Sequence, residues 1–151
     1  MEQVESNPSW GANFEARTIK DIIEPANSIF NWVSVKTALD EMRARAIDSS
    51  PVIDQRGEFL GTVSKTNMNR SVGGLGHDPK TAPVEAYIET NSAYCFEDQT
   101  IVEAEQIMLN AKFAEVPVVT REKLLVGAIN IEAIAQDRKR RGRLEPLKYR
   151  T

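Results

Sequence analysis

Residues 30 to 68 of this chain recur at 96 to 134 with a constant offset of 66 and no gap. Phe30, Ala38, Met42, Pro51, Val52 and Gly61 fall on Phe96, Ala104, Met108, Pro117, Val118 and Gly127. Apolar type is kept at Val35/Ile101, Ile47/Phe113, Leu60/Val126, Val63/Ile129 and Met68/Ile134. A repeat of this length is one supersecondary unit written twice, and a unit that cannot bury its own apolar face gains a core by packing on its copy. The expectation is one pseudo-twofold domain with any binding site in the seam.

The 151 residues suit a single domain that buries roughly 70% of its unfolded surface. The single Cys95 cannot form an internal bridge, and neither a signal-like start nor a membrane-length apolar run is present. A cytoplasmic protein that is not membrane-bound is therefore expected. Charge divides unevenly: residues 1–137 hold 12 Lys/Arg against 21 Asp/Glu, whereas residues 138–151 hold 7 against 1. An acidic body argues against nucleic-acid binding by the globule, because phosphate neutralisation requires a basic face.

Each half reads in the same order. A short apolar turn, Ile19 to Ile23 in half one and Val84 to Ile88 in half two, precedes a strand such as Ser28 to Val33. Ser34 is an N-cap for a helix carrying Val35, Ala38, Leu39 and Met42, and Thr100 to Met108 repeats the pattern. Two strands follow, Ser50 to Asp54 and Phe59 to Ser64, turned at Gly57; their copies are Val116 to Thr120 and Leu124 to Asn130. Closing helices begin at Lys65 and Ile131. The fold class is α+β, two repeats each with a small sheet and helices packed on it. The domain reading is an N-terminal arm 1–17, a first repeat 18–72, a linker 73–82, a second repeat 83–137 and a basic tail 138–151.

The Ala-x-x-x-Met helices (Ala38/Met42, Ala104/Met108), the Pro-Val strands (Pro51-Val52, Pro117-Val118) and the apolar-Gly-x-apolar strands (Leu60 to Val63, Val126 to Ile129) resemble the tandem cystathionine β-synthase (CBS) domain pair, or Bateman module. The resemblance covers about residues 18 to 137 and leaves no room for a catalytic domain. It implies a stand-alone regulatory module, not an enzyme, with no catalytic cofactor. It implies an adenosine-containing ligand, namely AMP, ADP, ATP, a dinucleotide or S-adenosylmethionine, in the cleft between repeats. It also implies a homodimer, and signalling through dimer contacts or a protein partner.

The family motif Gly-x-x-Ser/Thr-x-x-Asp, whose acid binds the ribose hydroxyls, falls here on Gly61, Ser64 and Asn67. The acid is replaced by its amide, which must accept from one hydroxyl and donate to the other. The second copy has Gly127, Asn130 and Ala133, with Glu132 placing negative charge where phosphate would lie. Half one is therefore the expected site. Ser64 precedes a helix N-terminus suited to phosphate, Lys65 is the nearest cation, and Ile47, Ser50 and Val52 line an adenine slot. The second slot would use Phe113, Val116 and Val118.

Blander readings stand beside these. Ser64 is also a plain helix cap, and Asn67 an ordinary first-turn residue. Gly73 to Gly76 lacks the Gly-Lys-Ser/Thr ending of a phosphate loop and reads as helix stop and linker. One His and one Cys cannot build a zinc site, so no metal is expected. His77 has no motif-borne nucleophile beside it. Cys95 aligns with Ile29 and reads as a small buried apolar residue. The tail Arg138 to Arg143 reads as a solvated helix end, with a partner's acidic surface as an alternative contact. The alternative function is a degenerate pair that serves as a ligand-free interaction or dimerisation module.

Overall fold

The computed structural model describes residues 17–75 and 78–144. The chain divides into two compact units: one of Ala26–Ser92 with Arg121–Leu125, the other of the residues up to Pro25 with Ala93–Thr120 and the residues from Val126. Trp10, Phe14, His77 and residues 145–151 lie outside the described residues.

In the first unit, β1 (Ile29–Phe30), β2 (Ser49–Ile53) and β3 (Phe59–Ser64) form a sheet in that order, with α1 (Val35–Arg45) and α2 (Lys65–Leu75) packed on it. β1 runs parallel to β2, with Ile29 opposite Val52, while β2 and β3 are antiparallel, with Ser49 opposite Ser64 and Val52 opposite Gly61. Helix α1 starts where Ser34 Oγ accepts the Thr37 N–H at 3.1 Å, and it buries Val35, Ala38 and Met42 at helical spacing. These meet Ile29, Val52, Val63 and Met68 in the core. The glycine run expected to stop α2 is partly helical: Gly73 and Gly74 lie inside it.

The second unit repeats the plan with β4 (Cys95–Phe96), α3 (Ile101–Ala111), β5 (Glu115–Val119), β6 (Leu125–Asn130) and α4 (Ile131–Leu144). Its core holds Cys95, Ala104, Met108, Val116, Val118, Ile129 and Ile134. Thr100 and Glu103 close a capping box on α3, satisfying two backbone donors reciprocally. The buried Asp137 on α4 is met by the Arg17 guanidinium at 2.7 Å. The expected solvated tail is partly tied down: Arg138 forks onto Glu105 at 2.6 and 2.8 Å and holds that carboxyl below its ordinary range.

The opening turns pack differently from their order in the chain. Ile19, with Ile22 and Ile23 against it, lies in the core of the second repeat, whereas Val84, Tyr87 and Ile88 lie in that of the first. Both turns make the same bonds. Val35 N–H donates to Ala82 O and Val84 N–H to Val33 O; Ile101 N–H donates to Arg17 O and Ile19 N–H to Gln99 O. Glu89 then pairs with Thr62 on β3, and Glu24 with Ala128 on β6. The physical reason is that β3 and β6 each have a bare edge once their hairpin is made, and the helix N-terminus beside it has orphan donors. The segment that satisfies both is the one that follows α2 for the first repeat and the one that precedes β1 for the second.

Candidate functional site

The first repeat gathers its polar residues where β3 passes into α2. Lys65 N–H donates to Asp48 O at 2.9 Å, and Ser49 stands opposite Ser64. Asp48, Ser49, Ser64, Lys65 and Asn67 therefore share one end of the sheet. Ser64 Oγ accepts the Asn67 N–H at 3.1 Å, so the hydroxyl is a helix cap and keeps its own O–H to donate. Asn67 Nδ2 donates to Tyr87 O at 3.3 Å, which leaves Oδ1 as the acceptor. An amide nitrogen carries two hydrogens, so Asn67 Nδ2 still has one to donate beside its bond to Tyr87 O. Lys65 Nζ stands 3.9 Å from Asp48 Oδ1, whose side chain is wholly exposed, so this cation is held only loosely.

The anion-binding capacity of the α2 N-terminus is smaller than a bare helix end offers. Of its first-turn donors, Lys65 N–H goes to Asp48 O and Asn67 N–H to Ser64 Oγ. Thr66 N–H has no partner among the described residues.

The adenine-slot residues do not all join this cluster. Along β2 and β3 successive side chains alternate between faces. Ser64 shares the half-exposed face with Ser49, Pro51 and Thr62, while Ser50 and Val52 lie on the core face with Val63. Ser50 is 1% exposed, and Val52 is fully buried. Only the backbone of these two is placed to meet a ligand on the Ser64 face. Ile47 is half-buried and packs on the same core. Ser49 and Thr62, which the sequence reading did not single out, share the Ser64 face with Pro51, and the period-2 rule applied from Ser64 and its hairpin partners places them there.

In the second repeat, Asn130 Oδ1 accepts the Glu132 N–H at 2.7 Å and acts as the cap of α4, matching the role of Ser64. Ile131 N–H donates to Ala114 O at 2.8 Å, as Lys65 does to Asp48. Val116 and Val118 are core residues, and Phe113 is 56% exposed, so their side chains do not line a common slot. Partial desolvation and then the charge of Glu24 push the Glu115 carboxyl above its ordinary range. Among the described residues no group of three or more His, Cys, Asp or Glu is placed to hold a metal, and no helix is long and apolar enough to cross a membrane.

Comparison with known proteins bears on this geometry. Residues 33–74 and 84–138 each match the family model described as CBS domain. An uncharacterized 17.7 kDa protein of Acidianus ambivalens is 26% identical over 104 residues; the match takes in 69% of this chain and 62% of that protein's length. The crystal structure of CBSX2 in complex with AMP superposes with a TM-score of 0.66 at 18% identity, covering 82% of this chain and 97% of that one. CbpB in complex with c-di-AMP gives a TM-score of 0.81 at 12% identity, covering 93% of this chain and 97% of that one.

Proposed function

The chain belongs to the CBS-domain family as a tandem pair, and from that premise we propose that it is a regulatory module that binds an adenosine-containing ligand at the Ser64–Asn67 turn of the first repeat. The ligand class comprises AMP, ADP, ATP, a dinucleotide or S-adenosylmethionine. The observation that carries the reading is the division of labour in that turn. Ser64 retains an O–H to donate and Asn67 retains Oδ1 to accept, with the Thr66 N–H and the Lys65 ammonium beside them. A ribose hydroxyl needs the acceptor, and a phosphate needs the donors. The AMP and c-di-AMP complexes of the two structural neighbours support the same class.

The protein performs no chemistry of its own in this account. Ligand acts by linkage, favouring whichever state it fits better by no more than its difference in affinity for the two. The signal passes through a homodimer. In its favour, α3 exposes Val102 and Leu109, and Phe113 is exposed just beyond its end, where the first repeat has Lys36, Arg43 and Ile47 with both cations paired to Asp40. Sedimentation of Leu109→Lys against wild type checks the dimer.

At about a hundredfold excess over its dissociation constant, the ligand adds roughly 2.7 kcal/mol of stability. Thermal unfolding with AMP, ADP, ATP, NADH and S-adenosylmethionine tests the proposal. At least one midpoint rises by several degrees; five unchanged midpoints overturn it. One observation favours the second reading, a ligand-free interaction module: Ser64, Asn67 and the Lys65 N–H all have intramolecular partners already. Unchanged midpoints together with a ligand-independent mass would establish that reading.

A further inference from the structure

The two repeats share a backbone at the strand-to-helix junction and differ in what they hang on it. Lys65 N–H to Asp48 O and Ile131 N–H to Ala114 O are equivalent bonds, and Thr62–Glu89 and Ala128–Glu24 are equivalent pairs. Around this common frame the first repeat carries Ser49, Lys65, Thr66 and Asn67, and the second carries Glu115, Ile131, Glu132 and Ala133 at the same places. Glu89 and Glu24 occupy matching positions, so they do not distinguish the repeats. With Asp48, Lys65 and Glu89 the first junction has a net charge of minus one; with Glu24, Glu115 and Glu132 the second has minus three.

Resting on the reading of the first repeat as a nucleotide site, we infer that Glu115 and Glu132 bar phosphate-bearing ligands from the second repeat, so that each chain takes one such ligand. Glu132 lies in the first turn of α4, where the positive end of the helix dipole would otherwise attract an anion. Its carboxylate occupies that field. Glu115 adds a second carboxylate beside the Ala114 carbonyl that receives the Ile131 N–H. Desolvation first, and then the charge of Glu24, displace the Glu115 carboxyl upward, so a neighbouring carboxylate already acts on it. An arriving phosphate would meet the same repulsion without the cation that Lys65 supplies in the first repeat. Ala133, standing where Asn67 does, also offers no ribose acceptor.

Equilibrium dialysis of the whole chain with radiolabelled ATP tests this. Wild type should bind one equivalent per chain, and Lys65→Glu should lose it. Transplanting the first junction with Glu115→Ser, Ile131→Lys, Glu132→Thr and Ala133→Asn should add a second equivalent. Glu115→Gln with Glu132→Gln serves as the milder variant and should expose weak second binding; its melting curve, and that of the transplant, confirm folding. Two equivalents in wild type, or one that survives Lys65→Glu, would overturn the inference. So would folded variants that still stop at one. Absence of ATP binding by wild type, if the transplant also stays empty, instead overturns the nucleotide-site reading on which the inference rests.

Discussion

A methyl group on Gly61 would collide with the carbonyl oxygen of Glu89. It would also stand 2.5 Å from Ile88 Cγ2. Gly61 sits at φ +143°, where side chains are strained in any surroundings, and the Ile88–Glu89 backbone passes directly over it to pair with Thr62. The second repeat makes the same crossing: a Cβ on Gly127 would lie 2.7 Å from Glu24 O. The repeated Gly is thus the gap through which the incoming segment reaches the sheet edge.

Gly61→Ala should therefore cost about 3 kcal/mol, combining backbone strain with overpacking against a backbone atom that cannot swing away. Gly127→Ala should cost about 1–3 kcal/mol through overpacking. Urea denaturation of the two variants measures both. A Gly61→Ala midpoint equal to wild type would show that the crossing is not this tight.

Helices α1 and α3 end on left-handed residues that are not glycine, Ala46 at φ 58° and Lys112 at φ 63°. Ala46 N–H and Ile47 N–H return to Arg43 O and Met42 O, the double closure of a Schellman turn. Replacing either residue with Gly removes the Cβ penalty of that conformation and should stabilise the protein by about 0.5–1 kcal/mol, since the penalty exceeds the added unfolded-state entropy. Thermal unfolding shows the gain as a midpoint raised by a few degrees, and a loss would contradict the cap assignment.

The Cys95 thiol is buried, and desolvation pushes its pKa up to about 11. The native thiol should not react with Ellman's reagent at pH 8 and should react once the chain is unfolded. The stability effect follows from linkage. The unfolded thiol loses its proton at its ordinary pKa while the folded one keeps it, so stability falls as pH rises from that value towards about 11. Cys95→Val should remove this alkaline component, and an unchanged pH profile would contradict it.

Much of the architecture could be read from the chain because it rests on local patterns that occur twice. Val35, Ala38 and Met42 and their copies have helical period, and Ser34 and Thr100 cap as their residue types suggest. The exchange of the opening turns was not legible. Arg17, Ile19 and Glu24 match Ala82, Val84 and Glu89 only when the offset shortens by one residue, and few identities survive in so short a segment. Nor does order along the chain disclose which sheet edge a segment will cover.

The candidate site was legible in part. Ser64 and Asn67 could be placed because a strand runs straight into a helix there, and a capping hydroxyl at that junction has one geometry. Ser50 and Val52 adjoin the motif's hairpin in sequence, but pleating sends their side chains to the opposite face from Ser64, a relation that depends on the strand register. The bond from Asn67 to Tyr87 O could not be anticipated, since it depends on the turn that follows α2.

Titration calorimetry of the ligand that most raises the melting midpoint, comparing wild type with Asn67→Ala, tests the central claim most directly. The account predicts saturable binding by wild type and at least about tenfold weaker binding by the variant, the loss of one good hydrogen bond to a ribose hydroxyl. Equal affinities in the two folded proteins, or heat-silent titrations in both, would contradict it.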